Sequence, residues 1–174
     1  LTGVLIDCGV SSPQLDEPER GFSFQTKGPL DMRFNQKQKL TCKDIIEKFS
    51  EKEISTILWK FGEEKESRKI AKFIVNHREK NVINNTLDLA EIIKAAKTIK
   101  TKKHPATKSF QALRMAVNSE IKNLTLCLEK IKDKLIKSGK LVIISFHSLE
   151  DRIAKQTFKP KINFHEKGIP LKHK

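Results

Sequence analysis

The 174-residue sequence is poor in the patterns that mark membrane or disulfide-bonded proteins. No apolar run approaches the roughly 20 residues that a membrane-spanning helix needs, and no cleavable signal pattern is present. The cysteines (Cys8, Cys42 and Cys127) are odd in number, far apart and without a Cys-x-x-Cys pair. That pattern argues against a disulfide framework and against a zinc site. We therefore expect a soluble, cytoplasmic chain.

The sequence also lacks the patterns of two kinds of enzyme site. The histidines show no metal-ligand spacing, so we expect no metal dependence; they are His77, His104, His147, His165 and His173. A serine hydrolase of the α/β type would carry a Gly-x-Ser-x-Gly elbow after a strand, and the sequence contains none. Hydrolysis by a Ser–His–Asp group is therefore disfavoured.

Acidic residues are scarce: 21 of them stand against 35 lysines and arginines, which gives a net charge of +14. Such an excess favours a polyanionic partner such as nucleic acid, because each neutralised phosphate releases counterions. A genome that favours Lys, Ile and Asn codons would produce the same bias, since only six of the basic residues are arginines. One tract has no acid between its lysines: Lys94, Lys97, Lys100, Lys102, Lys103 and Lys108.

The first segment holds the main candidate site. An apolar run from Gly3 to Ile6 stops at Asp7, which is typical of a parallel strand buried on both faces. About 25 residues without helix or strand period follow, and loops beyond about 12–15 residues are uncommon unless they bind or cover something. Ligands of parallel sheets lie beyond the carboxyl ends of the strands, so Asp7, Ser11, Ser12 and Gln14 are candidates. An ordinary surface loop is the alternative.

Residues 34–109 show helical periodicity. Thr41 with Asp44 and Ser50 with Glu53 have N-cap spacing, and Gly62 can supply a left-handed C-cap. We expect four helices, the third over 64–79 and the fourth after Thr86. Their inward residues would be Ile45, Ile46 and Phe49; Ile54, Ile57, Leu58 and Phe61; Ile70, Phe73 and Ile74; and Leu89, Ile92, Ile93 and Ala96.

The pattern of the last part of the sequence predicts one long helix and a second strand. From about Ser109 to Leu135 apolar residues step by three or four, which favours a helix packed on a sheet over a coiled coil. A turn at Ser138-Gly139 leads into the apolar run 141–146, which completes half of a βαβ unit. His147 follows this strand, on the rim where Asp7 lies. Ser148 can cap a further helix, with Glu150 and Asp151 in its first turn as dipole and cap residues.

Three blocks of the chain closely resemble the bacterial small-subunit (16S) ribosomal RNA cytosine-N4 methyltransferases, the RsmH/MraW family. The first block is DCGVSSPQLD (7–16), ERGFSF (19–24) and GPLDMR (28–33). The second is HPAT (104–107), FQALR (110–114) and VNSE (117–120), and the third is ISFHSLEDR (144–152). Long blocks in matching order over nearly the whole chain make this resemblance specific.

The resemblance implies a fold, a cofactor and a substrate. The fold is α/β, a partial Rossmann-like core that binds S-adenosylmethionine, with an inserted all-helical domain. Its segments would be residues 1–33 (core), 34–109 (helical insertion) and 110–174 (core). The substrate is the exocyclic amine of a cytidine in 16S ribosomal RNA of the small ribosomal subunit. No membrane partner is implied, and a homodimer stays open.

Carried over by position, the resemblance makes Asp7 and Gln14 contacts of the methyl donor. Acceptors such as a carboxylate or a hydroxyl could hold the N–H bonds of the cytosine amine, which makes Asp7, Ser11 and Ser12 catalytic candidates. His147 joins them from the second strand. RNA candidates are Phe22 and Phe24 for base stacking, with core packing as their alternative, and Arg33, Arg114, Arg152 and the lysine tract for phosphates.

The sequence departs from the family in three places. The glycine-rich turn and the acid that doubly wound methyltransferases use for the cofactor are absent, and in the family a Gly-Gly-His-Ser segment lies upstream of the position of Leu1. We expect a longer protein from which this sequence is cut at both ends. Lys27 replaces an acid, and Cys8 replaces an aliphatic residue. Two other functions remain open: a non-catalytic RNA-binding remnant, and methylation of another nucleic acid.

Overall fold

The chain combines helices with one pair of parallel strands, a mixed α/β structure in which helix dominates. The computed structural model describes residues 1–99 and 102–159. The elements are β1 (Gly3–Asp7), α1 (Ser12–Asp16), a 3-10 helix (Pro18–Arg20), α2 (Cys42–Lys48), α3 (Glu51–Gly62), α4 (Ser67–Arg78), α5 (Thr86–Ala96), α6 (Thr107–Val117), α7 (Glu120–Lys134), β2 (Lys140–Ile144) and α8 (Ser148–Phe158). They form two compact units, residues 9–123 and residues 1–8 with 124–174.

The smaller unit, residues 1–8 with 124–174, is built on one parallel strand pair. Strand β1 pairs with β2 in a register that sets Gly3 beside Lys140 and Asp7 beside Ile144. The Cys8 amide donates to the Ile144 carbonyl at 3.0 Å and continues the ladder past Asp7. The amino group of Leu1 donates to the Lys134 carbonyl at 2.8 Å, which joins the start of the chain to the end of α7.

The strands are not buried on both faces, which corrects the sequence prediction. Every second side chain is exposed: Leu5 at 67%, Val142 at 53% and Ile144 at 43%. Val4, Ile6, Leu141 and Ile143 point the other way and are half-buried. Apolar residues on both faces led to the prediction, but in the part of the chain that the structure describes this two-stranded sheet is covered on one face only.

The larger unit, residues 9–123, packs α2 to α6 around one core. Its helices begin as predicted: Thr41 Oγ1 accepts from the Asp44 amide at 3.1 Å, and Ser50 Oγ accepts from the Glu53 amide at 3.3 Å. Capping of this kind stabilises a helix by about 1 kcal/mol. The fully buried core residues include Ile45, Ile46, Ile54, Leu58, Ile70, Ile74, Leu89, Ile93 and Leu113.

Two details of these helices differ from the prediction. Phe73 was expected to point inward, but its side chain is 38% exposed on α4, whereas Ile70 and Ile74 are buried as expected. The left-handed residue after α3 is Glu63, with φ of 47°, and not Gly62. Gly62 is needed for packing instead, because a Cβ there would lie 2.5 Å from the Lys108 carbonyl oxygen.

The long helix expected from Ser109 to Leu135 is broken into α6 and α7. Ser119 has φ of 50°, a left-handed conformation that ends a regular helix. Asn118 stabilises the break, because its side chain accepts from the Phe34 amide at 2.7 Å and donates to the Met32 carbonyl at 2.7 Å. The apolar stripe continues through the break, so periodicity alone could not locate it.

Residues 9–33 belong to the larger unit (residues 9–123), which we call the helical unit. Its boundaries therefore differ from the proposed segments 1–33, 34–109 and 110–174. Phe22, Leu30 and Met32 are part of its buried core. Gly21 and Gly28 allow the close approach of this stretch to itself, because a Cβ on Gly28 would overlap the Pro18 carbonyl and one on Gly21 the Pro29 carbonyl. Packing therefore holds the part from Gly21 to Arg33, whereas residues 11–19 are exposed except for Gln14.

A buried ion pair ties the end of α5 to the connection between α3 and α4. Lys97 Nζ lies 2.7 Å from Glu64 Oε2, and both side chains are more than nine-tenths buried. Lys97 also donates to the Pro105 carbonyl at 3.2 Å. Removing one partner of such a pair leaves an uncompensated buried charge.

We expect Lys97→Met to lower the free energy of unfolding by about 3–5 kcal/mol, because Glu64 would stay buried without its cation. Lys94→Met is the matched control, since Lys94 pairs with Glu91 in solvent and should change stability by less than about 1 kcal/mol. Urea unfolding followed by circular dichroism measures both. Equal losses in the two variants would contradict this role of Lys97.

Candidate functional site

Asp7 and His147 lie at the same end of the parallel sheet, as the sequence predicted. Asp7 is the last residue of β1 and faces Ile144, the last residue of β2; His147 follows three residues later. The Asp7 side chain is exposed, and it makes no hydrogen bond or ion pair with the described residues. An exposed carboxylate at this position of an α/β sheet is where a ligand is expected.

His147 caps helix α8. Its Nδ1 accepts a hydrogen bond from the Leu149 amide at 3.1 Å, so in the neutral ring Nε2 carries the proton. The N-cap is therefore His147 and not Ser148, which is the first helical residue.

The two acids after His147 act as helix residues, as expected. Glu150 is buried, and its Oε2 accepts from the Phe146 amide at 3.1 Å. Asp151 forms an ion pair of 2.8 Å with Lys155 one turn further on. Both carboxylates lie in the first turn of α8, where negative charge is favourable.

Ser11, Ser12 and Gln14 lie in the helical unit, at the start of α1. Ser11 is the N-cap residue and Ser12 the first helical residue, and both are exposed. Gln14 Oε1 accepts from the Ser11 amide at 3.1 Å, which holds the amide side chain over the helix start. Asp7 and His147 belong to the other unit.

The two phenylalanine candidates differ in access. Phe22 is a buried core residue whose ring stacks on Phe34 with centroids 5.6 Å apart. Core packing, its alternative role, is therefore the one that the structure supports. Phe24 is half-buried and stacks on the His104 ring at 4.6 Å with an interplanar angle of 12°. A nucleobase could reach only this second pair.

Arg33 and Arg114 are bonded inside the protein. Arg33 donates to both carboxylate oxygens of Asp31 at 2.8 and 2.7 Å and to the Gln38 carbonyl at 2.7 Å. These hydrogen bonds from Arg33 hold the pKa of Asp31 below its usual value. Arg114 makes a bidentate pair with Glu120 at 2.8 and 2.9 Å. Each guanidinium thus directs two N–H donors to one carboxylate of the protein.

The remaining cationic candidates have mixed environments. Arg152 is exposed on α8. Within the lysine tract, Lys97 is buried in its pair with Glu64, and Lys108 donates to the Glu63 carbonyl at 3.1 Å. Lys102 and Lys103 are exposed, and Lys100 lies outside the described residues. The tract is therefore not one uniform basic face.

Sequence reasoning missed Trp59. It lies on α3, which buries Ile54 and Leu58, and its side chain is 60% exposed beside Lys52 and Thr56. The available signal was its position outside the apolar stripe of Ile54, Ile57, Leu58 and Phe61. An aromatic residue that helical periodicity puts on a polar, basic face is a candidate for ligand contact.

Neither a membrane span nor a metal cluster occurs in the described ranges. No helix there is both long and apolar enough to cross a bilayer. No group of three or more His, Cys, Asp or Glu side chains there could hold a metal ion.

The mixed α/β fold and a carboxylate at the end of its parallel sheet are consistent with an α/β methyltransferase. The sequence model of the MraW methylase family matches residues 1–174. The chain belongs to the MraW methylase family.

Curated relatives carry the name ribosomal RNA small subunit methyltransferase H. The protein from Vesicomyosocius okutanii is 45% identical over 98% of this chain and 55% of its own length. That from Fusobacterium nucleatum is 48% identical over 91% of this chain and 51% of its own. That from Legionella pneumophila (strain Paris) is 49% identical over 92% and 53%. The chain thus spans about half the length of these relatives.

The Asp31–Arg33 pair predicts a dependence of stability on pH. The folded pKa of Asp31 lies below its value in the unfolded chain, about 3.9, because Arg33 binds the charged form. The resulting stability is present above that value and is lost as the pH falls through the folded pKa. Asp31→Asn and Arg33→Met should each reduce the loss of unfolding free energy on acidification from about pH 4 to pH 2. Urea unfolding at a series of pH values measures this, and an unchanged acid loss in both variants would contradict it.

Proposed function

We propose that the protein to which this chain belongs transfers a methyl group from S-adenosylmethionine to N4 of a cytidine in 16S ribosomal RNA of the small subunit, in the cytoplasm. The observation that carries the proposal is the exposed Asp7 at the carboxyl end of β1, in a chain of the MraW methylase family. The name of the relatives supports the substrate class, since each is a small-subunit ribosomal RNA methyltransferase.

The fold proposed for the whole protein is a Rossmann-like core with a helical insertion. The parallel β1–β2 pair, the helix α7 that leads into β2 and the helix α8 that follows it support the first part. The helices α2 to α6, between Asp7 and β2 in the chain, support the second. The exposed apolar row of Leu5, Val142 and Ile144 suits a sheet with further cover.

The residues present fit a methyl donor that carries an ammonium group. Asp7 offers an exposed carboxylate without a cationic partner among the described residues, which suits that ammonium. Gln14 stays a donor-binding candidate from its sequence position alone, and its side-chain oxygen accepts from the Ser11 amide. When bound, S-adenosylmethionine would supply an electrophilic methyl group with an excellent leaving group.

The chain's own contribution to the reaction would be orientation. The cytosine amine is a poor nucleophile because its lone pair is delocalised into the ring. Asp7 would accept one of its N–H bonds and turn the lone pair towards the methyl group. Ser11 and Ser12 stay candidates for the same task from their sequence positions alone. Holding two reactants in line in this way can supply about 7–11 kcal/mol of the barrier, so no strong base is needed before the transfer. The methylated amine then loses one proton to solvent, and the donor leaves as the neutral thioether. His147 stays a catalytic candidate from its place after β2.

A non-catalytic RNA-binding remnant is the second candidate. The observation that favours it is that the exposed cations Lys52, Lys65 and Arg68 lie on the helical unit, which does not include Asp7. RNA binding without donor binding would then be expected. The first two experiments below separate these functions.

We expect Asp7→Ala, in a form of the protein as long as the relatives, to reduce methylation of reconstituted small ribosomal subunits by at least about 100-fold. A loss of this size is typical when one preorganised group that stabilises the transition state is removed. Transfer of tritiated methyl groups measures it. Asp133→Ala is the matched control, because Asp133 is an exposed carboxylate of the same unit. Equal turnover in wild type and Asp7→Ala would remove Asp7 from the site.

We also expect this 174-residue chain to bind S-adenosylmethionine more weakly than the longer form. The glycine-rich turn that holds such a cofactor is absent from the sequence. Calorimetric titration of both forms with the donor compares them directly. Equally tight binding by the 174-residue chain would show that residues 1–174 complete the donor site. Tight RNA binding without donor binding by the longer form would favour the remnant.

A further inference from the structure

A large open groove lies between α3 and the beginning of α4, wholly inside the helical unit. Its volume is about 810 Å³. The positive side chains on its walls are Lys52 from α3, Lys65 from the connection, and Arg68 and Lys69 from α4. No ion pair joins any of these four cations to a carboxylate within residues 1–99 and 102–159. They are therefore available to an anion from solvent.

Trp59 is the aromatic wall of this groove. Its neighbours on the same face of α3 are polar, Ser55 and Thr56, so it is not the edge of an apolar patch. A single exposed aromatic side chain is common on protein surfaces, so the surrounding cations are what distinguish Trp59. A flat aromatic face surrounded by cations and hydroxyls is the arrangement with which proteins hold an unpaired nucleobase and its phosphates.

The two acids of the groove do not cancel its charge. Glu66 accepts from the Thr98 amide at 3.0 Å, the Thr98 hydroxyl at 2.6 Å and the Ile99 amide at 3.2 Å. These bonds, the Thr98 hydroxyl first, lower the pKa of Glu66 and direct its carboxylate to the chain after α5. Glu51 is exposed at the start of α3. Four cations against two acids leave the groove positive.

We propose that this groove binds a single-stranded segment of RNA, with one base stacked on Trp59 and the neighbouring phosphates on Lys52, Lys65, Arg68 and Lys69. The proposal deepens the proposed function, on which it rests, by assigning a substrate-anchoring surface in the unit that does not include Asp7. A duplex does not fit as well, because its bases are stacked on each other. A protein partner fits less well, because apart from Trp59 the named walls are charged or hydroxylic.

The anchor would act on substrate binding and not on the reacting atoms. Stacking of one base on an aromatic side chain stabilises a complex about 5- to 150-fold. Each phosphate neutralised on a single strand adds about 0.7 to the slope of affinity against salt on logarithmic scales. Substitution of Trp59 should therefore raise KM for the ribosomal subunit and leave kcat near the wild-type value.

Trp59 also provides the direct test, because it is the only tryptophan and the chain has no tyrosine. The 174-residue chain is titrated with a single-stranded 12-nucleotide RNA and with the same RNA as a duplex, and the tryptophan fluorescence is recorded. We expect quenching by the single strand and much weaker quenching by the duplex. Equal quenching by both would overturn the choice of a single strand.

Labelled RNA and fluorescence anisotropy give the affinities of the variants. Trp59→Leu should weaken binding of the single strand about 5- to 150-fold. The double variant Lys52→Gln with Arg68→Gln should weaken it and lower the salt slope by about 1.4. The matched control, Lys43→Gln with Lys80→Gln, removes the same charge from exposed lysines of the same unit outside the groove. It should change both quantities much less.

The outcomes also separate this proposal from the proposed function. RNA binding that is unchanged in Trp59→Leu and in the Lys52 and Arg68 double variant would overturn the groove as an RNA site and leave a protein as its occupant. That result would not affect methylation through Asp7. Loss of binding in these variants, together with full methylation by Asp7→Ala, would support the groove and contradict the catalytic role of Asp7.

Discussion

Parallel pairing of β1 with β2 is the constraint on which the candidate chemistry depends. The two strands are more than 130 residues apart in the chain, and their register alone brings Asp7 and the residues before His147 to one edge. The ladder continues through Cys8 to the Ile144 carbonyl, so the backbone is held where the strand ends. The Asp7 side chain is left without a partner among the described residues, and a fixed backbone below a free carboxylate is how a scaffold preorganises a binding group.

The helical unit depends on polar contacts made by its non-helical segment. Gly21 and Gly28 let two stretches of residues 9–33 lie against each other, and Thr86 fixes them to α5 by accepting from the Gly28 amide at 3.0 Å. At the α6–α7 break, the Asn118 side chain likewise fixes the backbone of Met32 and Phe34 by hydrogen bonds. Ser11, Ser12 and Gln14 therefore belong to a unit with its own core, and that unit also carries the Trp59 groove.

The sequence predicted local features well and long-range ones less well. Caps at Thr41 and Ser50, the apolar helix faces and both strands follow from spacing between near neighbours. The break at Ser119 did not, because its stabilising partners Met32 and Phe34 are more than 80 residues away in the chain. The exposure of Leu5 and Val142 could not be predicted either, because an apolar residue in a strand does not show whether a second layer covers it. The position of Asp7 and His147 at one edge of the sheet could be predicted from the ends of the strands. The hydrogen bonds made by the candidate residues could not.

Charge is the property for which the structure changes the interpretation most. A net charge of +14 suggests a basic surface, yet Arg33, Arg114 and Lys97 are bonded to Asp31, Glu120 and Glu64. These cations stabilise the helical unit and are costly to redirect, because each would leave a partly or fully buried carboxylate behind. Binding of a polyanion is left to exposed cations without such partners. Lys52, Lys65 and Arg68 meet that condition beside the exposed ring of Trp59. The groove that we propose as an RNA site therefore meets this condition better than the lysine tract, in which Lys97 is buried.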